Sequence, residues 1–324
     1  MSGPWTWHGG GLEAAKRAFG NGDWIDLSTG INPHPWPGAA AMAFDWQRLP
    51  DPAALAGLEA VAASYFGVDA SHVCAVPGSE IGLRLVGTLV GGPARHLAPS
   101  YRTHGEMVAG SAPIAPAAAR GHGGTLILAN PNNPDGRVTG AAAMQALLDG
   151  RGPGGWLLVD EAFADTDPAA SVAPLVDDGK RLIVFRSFGK FFGLAGVRLG
   201  FVVAPQAIVA ALRERLGAWP LSAAAIHIGT AAYADRDWIV AARQQLTDEA
   251  AALDTLLVCQ GHRPIGACPL FRLIETDDAH ALFERLARRA ILTRPFADQR
   301  RWLRIGLPAD AAARARLEAA LTDG

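Results

Sequence analysis

Ser187-Phe188-Gly189-Lys190-Phe191-Phe192-Gly193-Leu194-Ala195-Gly196-Val197-Arg198-Leu199-Gly200 holds one lysine among apolar and glycine neighbours, with a serine three residues before it and an arginine eight after. A lysine in apolar surroundings loses hydration of its charged form, which makes the neutral amine available. A neutral amine condenses with a carbonyl cofactor. Ser187 and Arg198 are natural phosphate ligands, one through a hydroxyl and one through a charged planar fork. Together they point to pyridoxal 5′-phosphate on Lys190. The competing reading is a surface lysine in a glycine-rich loop.

Working outward, the run follows directly on an apolar strand, Leu182 to Phe185, and leads into another, Leu199 to Ala204. Further short apolar strands are expected at His72 to Val76, Thr125 to Ala129 and Trp156 to Val159. Helical patterns lie between them: Leu55 to Phe66, closed by Gly67; Ser79 to Val90, opened by the Pro77-Gly78 turn; and Gly140 to Leu148. Such alternation implies βαβ units, an α/β fold with a mainly parallel sheet and helices on both faces. Ligands in these sheets sit beyond the carboxyl ends of the strands. Ser79, Asn133, Asp160 and Ser187 to Lys190 all fall at those ends. After Gly217 the texture changes. Ser222 to Leu257 reads as one or two long helices. Leu270 to Ile274, His280 to Ala290, Trp302 to Ile305 and Ala309 to Leu321 then form a β-α-β-α pattern, a smaller α+β domain. The expected organisation is an N-terminal arm over 1–40, a large domain over 41–215 and a small one over 216–324.

With 324 residues, 50% of them hydrophobic and 19% charged, the chain is long and apolar enough for a packed core. A net charge of −2 argues against general nucleic-acid binding. Cys74, Cys259 and Cys268 show neither a CxxC pair nor metal-ligand spacing, and read as small core residues of a reducing compartment. Met1 to Gly11 lacks the basic start and apolar core of a signal peptide. No uninterrupted apolar stretch reaches about 18 residues, so no membrane span is expected. The cytoplasm is the default location.

A pyridoxal phosphate site needs further partners. The pyridine nitrogen must stay protonated, and a carboxylate at the end of a buried strand achieves this; Asp160 is so placed. At about 3 Å and an effective dielectric of 20, opposite charges attract by roughly 5 kcal/mol before desolvation. Asp160 also reads as a plain helix N-cap. Asn133, in the turn Asn130-Pro131-Asn132-Asn133-Pro134-Asp135-Gly136, can donate to the phenolic oxygen, although asparagine is common in turns. Backbone donors for a phosphate come from Gly78, Ser79 and Glu80 opening a helix. Tyr101, in Pro99-Ser100-Tyr101, is the candidate for ring stacking, against an ordinary core or surface tyrosine.

Asn132-Asn133-Pro134-Asp135-Gly136, Asp160-Glu161-Ala162-Phe163 and the Lys190 run together resemble fold-type I pyridoxal phosphate enzymes. In order and spacing they are similar to the histidinol-phosphate aminotransferase branch of the aspartate aminotransferase superfamily, over about His8 to Leu307. The resemblance implies that Lys190 holds the cofactor and Asp160 its ring nitrogen. It implies Asn133 at the phenolic oxygen, Gly78, Ser79, Ser187 and Arg198 at the phosphate, and Tyr101 stacked on the ring. It places His104 behind the aspartate and Arg304, in Leu303-Arg304-Ile305-Gly306, on a substrate carboxylate. It further implies a homodimer. Two departures stand out. Phe163 occupies a position where many members carry a tyrosine bonded to the phenolic oxygen, and Pro134-Asp135-Gly136 replaces Pro-Thr-Gly.

His8-Gly9-Gly10 and Leu27-Ser28-Thr29-Gly30-Ile31-Asn32-Pro33 resemble the start of the L-threonine-O-3-phosphate decarboxylase family, which makes the aminopropanol phosphate arm of cobalamin. This implies an N-terminal segment over the active site, with His8 and Asn32 on a phosphorylated amino-acid substrate. Histidinol-phosphate aminotransferases share the Asn-Pro segment, so only His-Gly-Gly discriminates. His8-Gly9-Gly10-Gly11 also copies an esterase oxyanion motif, but no G-x-S-x-G elbow accompanies it. G-x-x-x-x-G-K-[ST] and G-x-G-x-x-G runs are absent too.

Decarboxylation requires the bond from the α-carbon to the carboxylate to stand out of the ring plane; transamination requires the Cα–H bond there instead. The grip on the substrate's phosphate sets that rotation. Arg294 and Arg304 are the candidates for binding substrate phosphate or carboxylate, and the sequence does not divide the two tasks. The alternatives are a histidinol-phosphate-type aminotransferase and a catalytically silent member used for binding or regulation.

Overall fold

A computed structural model of the chain describes residues 4–6 and 8–322. Residues 1–3 and 7, within the expected N-terminal arm, and 323–324, at the end of the expected small domain, lie outside the described residues. Two compact units are present. Pro35–Asn133 and Val138–Ala241 form the larger; Met1–His34, Pro134–Arg137 and Ala242–Gly324 form the smaller. Residues 35–40 and 216–241 thus belong to the larger unit by contact.

The larger unit is built on a seven-stranded sheet. Its spatial order is Val73–Val76, Gly200–Val203, Leu182–Ser187, Leu157–Asp160, Thr125–Ala129, Ala94–Leu97, Ala112–Ile114. The five strands from Leu182–Ser187 outward to Ala112–Ile114 run parallel. Gly200–Val203 is antiparallel to both its neighbours. The central strands are buried at every residue, so both sheet faces are covered, as their continuous apolar runs require. Leu126, Ile127, Leu158, Ile183, Phe185 and Val202 are almost wholly withdrawn from solvent.

Local chemistry sets the helix ends. Pro52–Phe66 starts three residues earlier than its apolar pattern suggests, because the Asp51 carboxylate accepts the Ala53 N–H and Pro52 fits the first turn. It stops at Gly67, whose backbone is left-handed. Residues 222–257 give two helices, Ala223–Ala234 and Arg236–Cys259. The break falls at Asp235, whose carboxylate accepts the Trp238 N–H at 3.1 Å and the Trp36 indole N–H at 2.9 Å.

The smaller unit carries an antiparallel sheet in the order Arg294–Pro295, Trp302–Gly306, Phe271–Glu275, Pro264–Ile265. A parallel pair, Ile25–Asp26 with Ile291–Leu292, ties the segment before Leu27 into this unit. Helices Ala279–Ala287 and Ala311–Thr322 complete the expected β-α-β-α pattern. Among the described residues, no helix is long and apolar enough to cross a membrane.

Candidate active site

The Lys190 run is a loop pinned at both ends. Ser187 pairs with Gly200 and Arg186 with Phe201, so the run leaves and re-enters the sheet on adjacent antiparallel strands. Its first residues form a single helical turn, Phe188–Phe191. Three phenylalanines anchor that turn. Phe188 and Phe192 stack at 4.6 Å between ring centroids, Phe192 stacks on Trp238 at 5.5 Å, and Phe191 meets Trp238 edge-on at 5.6 Å. All three are fully buried. A Cβ on Gly189 would come within 2.5 Å of the Ala195 backbone, so no larger residue fits before the lysine. Lys190 is half-buried, with Nζ 5.9 Å from the Phe163 ring centroid. The chain's two other lysines make ion pairs: Lys16 with Glu13 at 2.8 Å and Lys180 with Asp177 at 2.6 Å.

Asp160 ends the neighbouring strand Leu157–Asp160 and is buried. Its Oδ1 accepts the Ala162 N–H at 3.1 Å, and its Oδ2 lies 3.0 Å from Nε2 of the wholly buried His104. The other ring nitrogen of His104 has no hydrogen-bond partner. Because the carboxylate only accepts, Nε2 carries the proton. Tyr101 stands edge-on to His104, 5.8 Å between centroids. Burial, and then the Glu80 carboxylate, push its hydroxyl pKa up.

Ser79–Val90 opens at Gly78, and no side chain caps it. The first N–H groups of such a helix are available to an anion. Gly78 has φ +86°, and a Cβ there would lie 2.6 Å from the Arg198 guanidinium. Arg198 is exposed and itself left-handed at φ 56°. Ser187 is buried and its hydroxyl does not cap the turn that follows. An uncapped helix N-terminus, a serine hydroxyl and a guanidinium fit a phosphate group. Asn133 is half-buried in its turn. That turn is held by Asn132 donating to the Pro99 carbonyl at 3.0 Å, and by Asn130 donating to the Thr139 and Ala170 carbonyls. A lysine, a histidine-backed aspartate and these phosphate donors suit pyridoxal 5′-phosphate.

The smaller unit holds the other candidates. Arg294 and Arg304 are directly opposite each other on antiparallel strands, both buried. Arg304 donates to the Ser28 carbonyl at 2.7 Å and lies over Phe271. Burial, and then the charge of Arg294, lower its pKa well below the ordinary arginine value. Like charges at directly opposed positions repel, a cost that a bound anion offsets. Ser28 also accepts the Gly10 N–H at 2.8 Å, which sets His8, Gly9 and Gly10 beside it; His8 is exposed. Asn32 is buried, and its side-chain oxygen caps the His34 N–H.

Sequence reasoning did not find a buried charge network behind the site. Arg186 bonds Glu161 at 2.7 Å and also Asp165, and Glu161 further accepts from the Ser171 hydroxyl and the Val172 N–H, both at 2.6 Å. Burial disfavours the Arg186 charge, but Asp165 and Glu161 outweigh it and hold the guanidinium charged. Glu161 and Arg186 directly adjoin Asp160 and Ser187 in sequence. Their partners are 10 to 25 residues away along the chain, so no local motif reveals them.

Residues 88–320 match the family described as aminotransferase class I and II. The chain belongs to that family, and its fold is that of the fold-type I pyridoxal phosphate aminotransferases. It is 41% identical to a threonine-phosphate decarboxylase of Sinorhizobium over 97% of each chain, and 41% identical to one of Pseudomonas aeruginosa over 97% of this chain and 96% of that one. Among solved structures, it superposes on a Sinorhizobium meliloti histidinol-phosphate aminotransferase in complex with pyridoxal 5′-phosphate. The TM-score is 0.86 at 22% identity, covering 97% of this chain and 94% of the other. An L-threonine-O-3-phosphate decarboxylase of Porphyromonas gingivalis gives 0.77 at 17% identity, covering 91% and 97%.

Proposed function

We propose that this chain decarboxylates L-threonine O-3-phosphate with pyridoxal 5′-phosphate, releasing carbon dioxide and leaving (R)-1-aminopropan-2-yl phosphate for cobalamin biosynthesis. The observation that carries this is 41% identity to a threonine-phosphate decarboxylase over 97% of both chains.

When bound, the cofactor supplies an electron sink for the bond broken at the substrate's α-carbon. The chain's own residues do the rest. Lys190 holds the cofactor and, once released, returns a proton to the α-carbon. Asp160, steadied by His104, keeps the proton on the ring nitrogen. Asn133 donates to the phenolic oxygen. Gly78, Ser79, Glu80, Ser187 and Arg198 bind the cofactor phosphate, Glu80 through its backbone, and Tyr101 covers the ring. Arg294, Arg304, His8 and Asn32 bind the substrate's carboxylate and phosphate. Fixing both anionic ends selects which α-carbon bond stands across the ring, so orientation rather than a new catalytic group separates decarboxylation from transamination. The chain works as a homodimer, as the family resemblance implies, and the cytoplasm is its default location.

The test is to incubate the protein with threonine phosphate and pyridoxal 5′-phosphate and measure carbon dioxide. Stoichiometric carbon dioxide and aminopropanol phosphate are expected. Glutamate formed from 2-oxoglutarate and histidinol phosphate, without carbon dioxide from threonine phosphate, would make the chain an aminotransferase.

A further inference from the structure

Glu80 lies in the first turn of Ser79–Val90, where an acidic side chain ordinarily complements the helix dipole. Its carboxylate has other partners. Oε2 accepts the Tyr101 hydroxyl at 3.2 Å, both oxygens lie 3.0 Å from the Thr103 hydroxyl, and Oε1 accepts from Arg84 Nε at 2.8 Å. Arg84 is in turn fixed by Glu106 at 2.9 Å, and Glu106 pairs with Arg102 at 3.1 Å. Two arginines and two glutamates thus form a linked chain that ends on the carboxylate holding the tyrosine hydroxyl. The Tyr101 ring is held at both ends: by its backbone at the start of Arg102–Glu106, and by its hydroxyl on Glu80.

We propose that Glu80 is a positioning residue: it sets the ring plane of Tyr101 and, by turning its carboxylate aside, leaves the helix N-terminus clear for a phosphate. This rests on the reading of Tyr101 as the ring that covers pyridoxal 5′-phosphate. The hydroxyl of Tyr101 is then committed to Glu80, and the residue acts through its face. Its raised pKa agrees with a hydroxyl that stays protonated.

The experiment compares Glu80→Ala, Glu80→Gln, Tyr101→Phe and the double variant Glu80→Ala/Tyr101→Phe in the full chain. Cofactor affinity is titrated with pyridoxal 5′-phosphate, ring orientation is followed by visible circular dichroism of the bound cofactor, and stability by urea unfolding without added cofactor. Loss of the Glu80 acceptor is expected to weaken cofactor binding about tenfold and change the dichroic band, the size of one charge-assisted hydrogen bond. Glu80→Gln keeps an oxygen facing the hydroxyl and is expected to stay within about threefold of wild type. Tyr101→Phe reproduces the dichroic change of Glu80→Ala, and the double variant adds nothing, in spectrum or in unfolding. Wild-type dichroism and affinity in Glu80→Ala, or additive effects of the two substitutions, would overturn the proposal. If the wild-type chain takes up no cofactor, the site reading itself fails; the unfolding cycle, which needs none, still decides whether Glu80 and Tyr101 are coupled.

Discussion

His104 donates from Nε2 to Asp160 Oδ2 across 3.0 Å, and its ring is closed off from solvent. A buried carboxylate keeps its charge only when its oxygens are satisfied. Here the satisfaction comes from one imidazole and one backbone N–H, that of Ala162. His104→Phe fills much of the same space without the donor. Losing a hydrogen bond to a charged group costs about 1.5–3 kcal/mol, so kcat/KM is expected to fall roughly tenfold to a hundredfold. Steady-state kinetics on threonine phosphate check this; a change under about twofold would remove His104 from the account.

Phe163 sits three residues after Asp160 and turns its ring toward the Lys190 amine, with no hydroxyl to offer. Phe163→Tyr adds a donor in a buried setting. A donor near the cofactor's phenolic oxygen stabilises that oxygen's charge by about 1 kcal/mol. The pH midpoint of the visible band is then expected to fall by somewhat under about one unit. A spectrophotometric pH titration measures it; a midpoint that stays fixed or rises contradicts the placement of Phe163.

Arg186→Met leaves Glu161 and Asp165 buried without their cation. Breaking such a network costs about 3–5 kcal/mol, which urea unfolding reads directly. The pH dependence has a definite sign. Burial pushes the Glu161 carboxyl pKa up, and Arg186 is the chief influence holding it down. Without Arg186 the folded value lies well above the unfolded one. The variant's deficit relative to wild type is therefore expected to be smallest in acid and to grow as pH rises through that raised value. A deficit that grows as pH falls would refute this.

Arg304→Leu removes a buried guanidinium that faces Arg294 across the strand pair. If the pair binds a substrate anion, KM is expected to rise about tenfold to a hundredfold, the worth of a charge-assisted contact. The visible spectrum of the bound cofactor should not move. A spectral change with an unaltered KM would assign Arg304 elsewhere.

What the sequence displayed was local. Residues 126–129 and 182–185 are continuous apolar runs, and Lys190 and Asp160 stand out because turn and strand-end signals flank them. The strands Ala94–Leu97 and Ala112–Ile114 lie at or beside the sheet edge and are only partly buried, so Arg95 and His96 interrupt any apolar pattern. The antiparallel direction of Gly200–Val203 is not encoded in periodicity at all. The excursion through Lys190 holds only the single turn Phe188–Phe191 and no crossover helix, and the chain re-enters the sheet beside the strand it left. The linked residues around Glu80 and the Arg186 network were hidden for a related reason. The pairs Glu80–Arg84 and Arg102–Glu106 follow i,i+4 spacing, but the contact that joins them spans 22 residues, and Arg186 reaches Glu161 and Asp165 across 25 and 21.

The most direct test of the central claim is to reduce the cofactor-loaded protein with borohydride, digest it and locate the pyridoxyl group by mass spectrometry. The chain has three lysines, Lys16, Lys180 and Lys190. One label is expected, on Lys190, abolished by Lys190→Ala. An unlabelled Lys190, or a label on Lys16 or Lys180 instead, would contradict that claim.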